Sequence, residues 1–124
     1  MKTRQFISEF DSNLQVIIMG KSDFRYDTMK PMFTEFGFGF IIPAFNLIVI
    51  DGEQKLGKDV HKFIEAHEVA HYILGHSAEH NASDEIDADR LAYKLLSDKG
   101  YVKSLQLVIE KFEERHGIKF DEKY

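Results

Sequence analysis

The residues best suited to chemistry are His67, Glu68 and His71, in the run His67-Glu68-Val69-Ala70-His71. On a helix, side chains at i and i+4 project one turn apart from the same face, so both imidazoles can reach one ion. Glu68 is turned about 100° from His67, where it can reach a water beside that ion without binding the ion itself. In this H-E-x-x-H pattern zinc lowers the pKa of water to about 7, and the glutamate takes the proton and passes it to a leaving amine. Chance produces such a match in about one of 40 shuffles of this composition, so its surroundings must support it.

A catalytic zinc needs a third protein ligand and an open position. His76, Glu79, His80, Asp84, Glu85, Asp87 and Asp89 all follow closely. Glu85 and Asp89 are spaced i, i+4 on the side that also carries Ala92 and Leu96, an apolar side that should pack on the histidine helix. Carboxylates on a packing face call for a cation or an imidazole. Glu85 is therefore the expected third ligand, and Asp89 the partner that fixes the tautomer of a ligand histidine. The plainer reading of Asp84-Glu85-Ile86-Asp87-Ala88-Asp89 is a solvated helix start that suits the helix dipole.

The elements that must hold these groups follow from periodicity. Residues 58–74 read as a largely buried helix. Val60, Ile64, His67, His71 and Leu74 share one face, Phe63, Ala66, Ala70 and Ile73 an adjoining one, and Lys62, Glu65, Val69 and Tyr72 are left for solvent. Gly75 stops it. Ser83 is the expected N-cap of a second helix running to Asp98, with Gly100 as its stop. A third helix spans residues 102–116, striped by Leu105, Val108, Ile109 and Phe112 and capped by Gly117. Upstream, residues 3–10 suit a short helix with Phe6, Ile7 and Phe10 on one side, and residues 14–19 a strand. Residues 21–34 are polar and mixed, with no element assigned. Residues 37–42 and 47–50 read as two neighbouring strands or a hairpin. Strands first and helices afterwards predict an α+β fold. A small sheet of about three strands, mixed or antiparallel, would pack on the buried histidine helix, followed by the glutamate-bearing helix and a C-terminal helix, all in one domain over residues 1–124.

The chain has 124 residues, is 44% hydrophobic and 30% charged, and carries a formal charge of −5. That balance suits a globular protein and argues against nucleic-acid binding, which needs a surplus of Lys and Arg. There is no cysteine, so a metal must be held by histidine and carboxylate. Lys2 and Arg4 are not followed by an apolar run and cleavage site, so no signal peptide is expected. The most apolar stretch, residues 38–50, is interrupted by Pro43 and Asn46 and falls short of the roughly 20 residues a membrane span needs. A soluble, cytoplasmic protein without a membrane partner is the expectation.

The run H-E-V-A-H-Y-I-L-G-H, followed by E-I-D-A-D-R-L-A-Y-K-L-L, resembles the gluzincin metallopeptidases. It is most similar to the ImmA/IrrE type, with its H-E-x-x-H-x-x-x-G-H helix and a second helix bearing E-x-x-A-[ND]-x-x-A. The E-x-x-x-D signature of HtpX-like proteases is matched by Glu85 and Asp89, and the chain is similar in size to the free-standing minigluzincins. The likeness covers about residues 47–96. It implies His67 and His71 as zinc ligands, Glu68 as general base and Glu85 as third ligand. It also implies that residues 46–52 form the strand bordering the cleft, where extended substrate would pair with its edge. Glu85 follows His71 by 14 residues, a shorter connection than in either named type. No transmembrane helix or helix-turn-helix segment accompanies the motifs.

The leading expectation is a zinc endopeptidase, with one zinc per chain and a protein or peptide substrate. An ImmA-like regulatory zinc protein that acts by binding a repressor or other protein is the alternative. A closed structural zinc site would need His76 or His80 as fourth ligand and would have no use for Glu68. Tyr72, His76, His80, Tyr93 and His116 are all chemically able to stabilise an oxyanion, with His76 and Tyr93 the candidates for that role or for an extra ligand. Arg90 is expected to pair with a carboxylate.

Overall fold

The computed structural model describes residues 2–54, 57–76 and 81–120. Its elements are strands β1 (Arg4–Ile7) and β2 (Gln15–Met19), helix α1 (Tyr26–Glu35), strands β3 (Gly39–Ile42) and β4 (Leu47–Asp51), and helices α2 (Gly57–Leu74), α3 (Ala82–Asp98) and α4 (Val102–His116). The fold is α+β, as the order of patterns predicts. Chain contacts divide it into two compact units, Met1–Gly57 and Lys58–Tyr124. Among the described residues, no helix is long and apolar enough to cross a membrane.

The first unit is a four-stranded mixed sheet in the order β1-β2-β4-β3. β1 pairs antiparallel with β2, β2 parallel with β4, and β4 antiparallel with β3. β2 and β4 are continuous apolar runs, Val16-Ile17-Ile18-Met19 and Leu47-Ile48-Val49-Ile50, and both faces of each are buried, the pattern of interior strands. Ile17, Met19, Phe40 and Val49 meet Tyr26 and Phe33 of α1 in one apolar cluster. The Tyr26 hydroxyl donates to Asp51 at 2.9 Å, which satisfies a buried carboxylate at the end of β4. Burial and this bond push the Tyr26 pKa up to about 12.

Three expectations for this unit are corrected. Residues 3–10 hold strand β1 instead of a helix. A helix that short is marginal alone, whereas pairing with β2 gives the backbone of residues 4–7 partners along one side. The unassigned polar stretch contains α1, with Pro31 inside it. Strand β4 is not an edge: β2 takes one side and β3 the other. The strand preceding α2 therefore has no free backbone for a substrate, and the open edge on that side of the sheet is β3.

In the second unit α2 carries the motif. Its expected solvent strip is also corrected, since Glu65 and Val69 are buried while Ile73 and Leu74 are 47% and 38% exposed. A helix apolar round most of its circumference gives periodicity no single face to choose. Glu65 tolerates burial because the Lys62 ammonium lies 2.9 Å from its carboxylate. α3 begins one residue after Asn81 and not at Ser83. The Asn81 side chain accepts from the Asp84 amide at 2.9 Å, and the Asp84 carboxylate accepts from the Asn81 amide at 3.2 Å. That reciprocal box satisfies two otherwise orphaned donors. α3 turns at Gly100 and packs against α4. Ala88, Ala92 and Leu96 of α3 are buried, as are Val108 and Phe112 of α4. Ser104 ties the start of α4 to α2 by donating to the Asp59 carbonyl at 2.8 Å.

Candidate metal centre

α2 presents His67 and His71 on one side, as their spacing requires, and the first turns of α3 present Glu85 and Asp89 toward them. His67 Nε2 and His71 Nε2 lie 3.1 Å apart. Each is 3.4 Å from an oxygen of Glu85, His67 from Oε2 and His71 from Oε1. His67, His71 and Glu85 thus form a group that can hold a metal ion. Tetrahedral zinc with bonds near 2.0–2.1 Å separates its ligand atoms by about 3.3–3.4 Å; here one ligand atom from each residue lies within 4.8 Å of the others. Two imidazoles and one carboxylate suit zinc and leave an open position. Among the described residues the group has these three members.

Both histidines are held from behind. Asp89, wholly buried, places Oδ1 3.1 Å from His67 Nδ1, so that nitrogen donates to the carboxylate and leaves Nε2 for an ion. His71 Nδ1 faces His76 Nδ1 at 2.9 Å, so one of the two must donate and the other accept. With His71 Nε2 kept free as a ligand atom, His71 carries its proton on Nδ1. His76 accepts at Nδ1 and carries its own proton on Nε2, which lies 3.4 Å from Asp84 Oδ1. The structure thus sets His76 behind His71, on the nitrogen that faces away from Glu85. Glu68 follows His67 on α2, and its charge acts on His67.

The Tyr93 ring packs on Phe120, with centroids 4.9 Å apart. Asp84 serves the helix cap and His76, and Asp87 is outside the group. Glu79 and His80 lie outside the described residues. The centre also holds Arg115, which the sequence does not single out, and His116, there one of several oxyanion candidates. Arg115 Nη1 donates to Glu85 Oε2 at 2.8 Å, and His116 Nε2 lies 3.2 Å from Asp89 Oδ2.

In the metal-free protein burial pulls His67 toward its neutral form. Hydrogen bonds to Asp89 and Glu85, and the charges of Glu68 and Asp89, outweigh burial and raise its pKa from 6.5 to about 10. Burial likewise opposes ionisation of Glu85, but the two imidazoles hold its carboxyl well below the usual range. The raised His67 pKa stabilises the metal-free fold; this contribution is complete below pH 6.5 and lost as pH rises through about 10. A metal must displace that proton from Nε2. Apparent affinity is therefore expected to rise about tenfold per pH unit across roughly pH 6–8. Calorimetry in buffers of different ionisation enthalpy should find about one proton released per ion from His67. A pH-independent affinity would mean that His67 is already neutral in the metal-free chain.

No protein-family model, curated protein or solved structure matches this chain.

Proposed function

We propose that the protein is a zinc-dependent endopeptidase of the gluzincin kind. The observation that carries this reading is the convergence of His67 Nε2, His71 Nε2 and the Glu85 carboxylate at 3.1–3.4 Å, with an acid beside the first histidine. Zinc at these three groups would supply a Lewis acid for a peptide carbonyl and a lowered pKa for an attacking water. His67, His71 and Glu85 hold the ion, and Asp89 and His76 fix the tautomers that keep both Nε2 atoms available. Glu68 moves the proton: its carboxylate takes one from the attacking water and delivers it to the departing amine nitrogen. An intact Glu68 favours this reading over a structural site, which has no proton to move.

The test is metal-dependent cleavage. The zinc-loaded chain is incubated with a mixture of denatured proteins, and new N-termini are mapped by mass spectrometry. Cleavages that appear with zinc, vanish with a chelator and return on adding zinc are expected. Stoichiometric zinc with no new N-termini would set aside the endopeptidase and leave a zinc protein that acts by contact.

A further inference from the structure

The last turn of α4 lies outside every motif, yet two of its consecutive residues reach the metal centre. Arg115 and His116 are basic residues at a helix C-terminus, and the simplest account is that they complement the helix dipole there. The geometry of His116 asks for more. Its side chain is 5% exposed and that of Asp89 is 1% exposed. Nε2 of His116 is directed at Asp89 Oδ2, 3.2 Å away, while Oδ1 of the same carboxylate receives His67 Nδ1 at 3.1 Å. Asp89 is thus a buried bridge between two imidazoles, with each oxygen assigned to one of them. The His116 ring is set edge-on to buried Phe112, with centroids 4.8 Å apart, and Phe112 meets Phe120 at 5.0 Å. These contacts fix the ring plane that aims Nε2.

We propose that His116 is a positioning residue of the metal centre, acting through Asp89 on the ligand His67. This inference rests on the metal reading of His67, His71 and Glu85. Without the His116 N–H, Asp89 Oδ2 is a buried acceptor left with Arg115 Nη1 at 3.6 Å as its nearest cation. The carboxylate then turns toward Arg115, and Oδ1 is drawn away from His67 Nδ1. His67 loses the bond that sets its tautomer and orientation, and metal affinity falls although no ligand has been touched. Partners of this kind are typically worth about 10–100-fold in metal affinity.

The test titrates the full-length metal-free chain with cobalt(II), reading affinity and the visible absorption bands. The variants are His116→Phe, which keeps the ring packing but lacks the N–H, and His116→Gln, which restores a donor at similar reach. His116→Phe is expected to bind cobalt about 10–100-fold more weakly than wild type and with shifted bands. His116→Gln is expected to recover most of both. Wild-type affinity and spectrum in His116→Phe would overturn the proposal and leave the metal centre intact; a wild-type chain that takes up no cobalt would overturn both. Should His116→Phe fail to fold, imidazole ¹⁵N–¹H spectra of the zinc-loaded wild type decide. A slowly exchanging Nε2–H on His116 is expected, and a fast-exchanging one overturns the proposal.

Discussion

Glu85→Ala is expected to leave the protein folded and nearly empty of metal. Wild type should hold about one zinc per chain after reconstitution, and the variant a small fraction of that under the same dialysis. The loss should exceed the roughly 10–100-fold typical of a residue that only orients a ligand, because a donor atom itself is gone. Folding should survive because the change removes no core side chain. Arg115, which donates to Glu85 at 2.8 Å, is 41% exposed and can return to water; exposed ion pairs contribute only about 0–1 kcal/mol. Two histidines would remain, 3.1 Å apart, enough for weak binding. Asp87→Ala, two residues further along the same helix start and outside the group, should keep its zinc and serves as the control for loss of negative charge. Full zinc in Glu85→Ala would remove Glu85 from the ligand set, and the search would pass to His76, His80 or another carboxylate.

How much of this centre could be read in the sequence depends on how local each part is. The His67–His71 pair is set by a spacing of four on one helix, so it was visible at once. Glu85 and Asp89 are likewise one turn apart, and the helix carrying them is bounded by signals that read correctly at its C-terminal end, where Gly100 adopts φ +78°. The N-terminal end was misplaced by two residues because Asn81 and Ser83 are both good caps, and only the bond between Asn81 and Asp84 distinguishes them. His116 is a chemically able residue by type, but its partner Asp89 lies 27 positions away. Contacts at that distance leave no periodic trace. The same holds for β1, whose register against β2 is a pairing between segments, and for β4, whose interior place comes from neighbours on both sides. α1 was hidden by its own composition: a polar helix with Pro31 inside it carries little helical signal, and Tyr26 and Phe33 reveal their role only once the sheet is beside them.

The burial of α2 departs from its periodicity for a different reason. Its residues are apolar on most sides, and the expected outward strip contained Glu65, a charge that sequence arguments place in water. The Lys62 ammonium one turn earlier pairs with that charge and allows it inside. The buried set then runs through Ile64, Glu65, Ala66, Val69, Ala70 and His71. This leaves His67 14% exposed on a helix that is buried along most of its length.

Glu68→Gln separates catalysis from metal binding. Glutamine has nearly the same shape but cannot take a proton from water. The cleavage rate of the zinc-loaded variant is expected to fall by about 10²–10⁴, the usual contribution of a positioned general base. The loss should appear in kcat with little change in KM, since the proton transfer belongs to the transition state. Zinc content should not fall. The negative charge of Glu68 contributes to raising the His67 pKa; removing it makes the Nε2 proton easier to displace but also withdraws an attraction for the dication, so zinc affinity near neutral pH should change little. A large loss of rate at nearly unchanged affinity makes the result specific: damage to the fold or to the ligand set would lower both. A variant that keeps its zinc and cleaves at the wild-type rate would show that another group carries the proton. A protein acting by contact alone would likewise be indifferent to this change, because its binding surface would be intact and no proton would need to move.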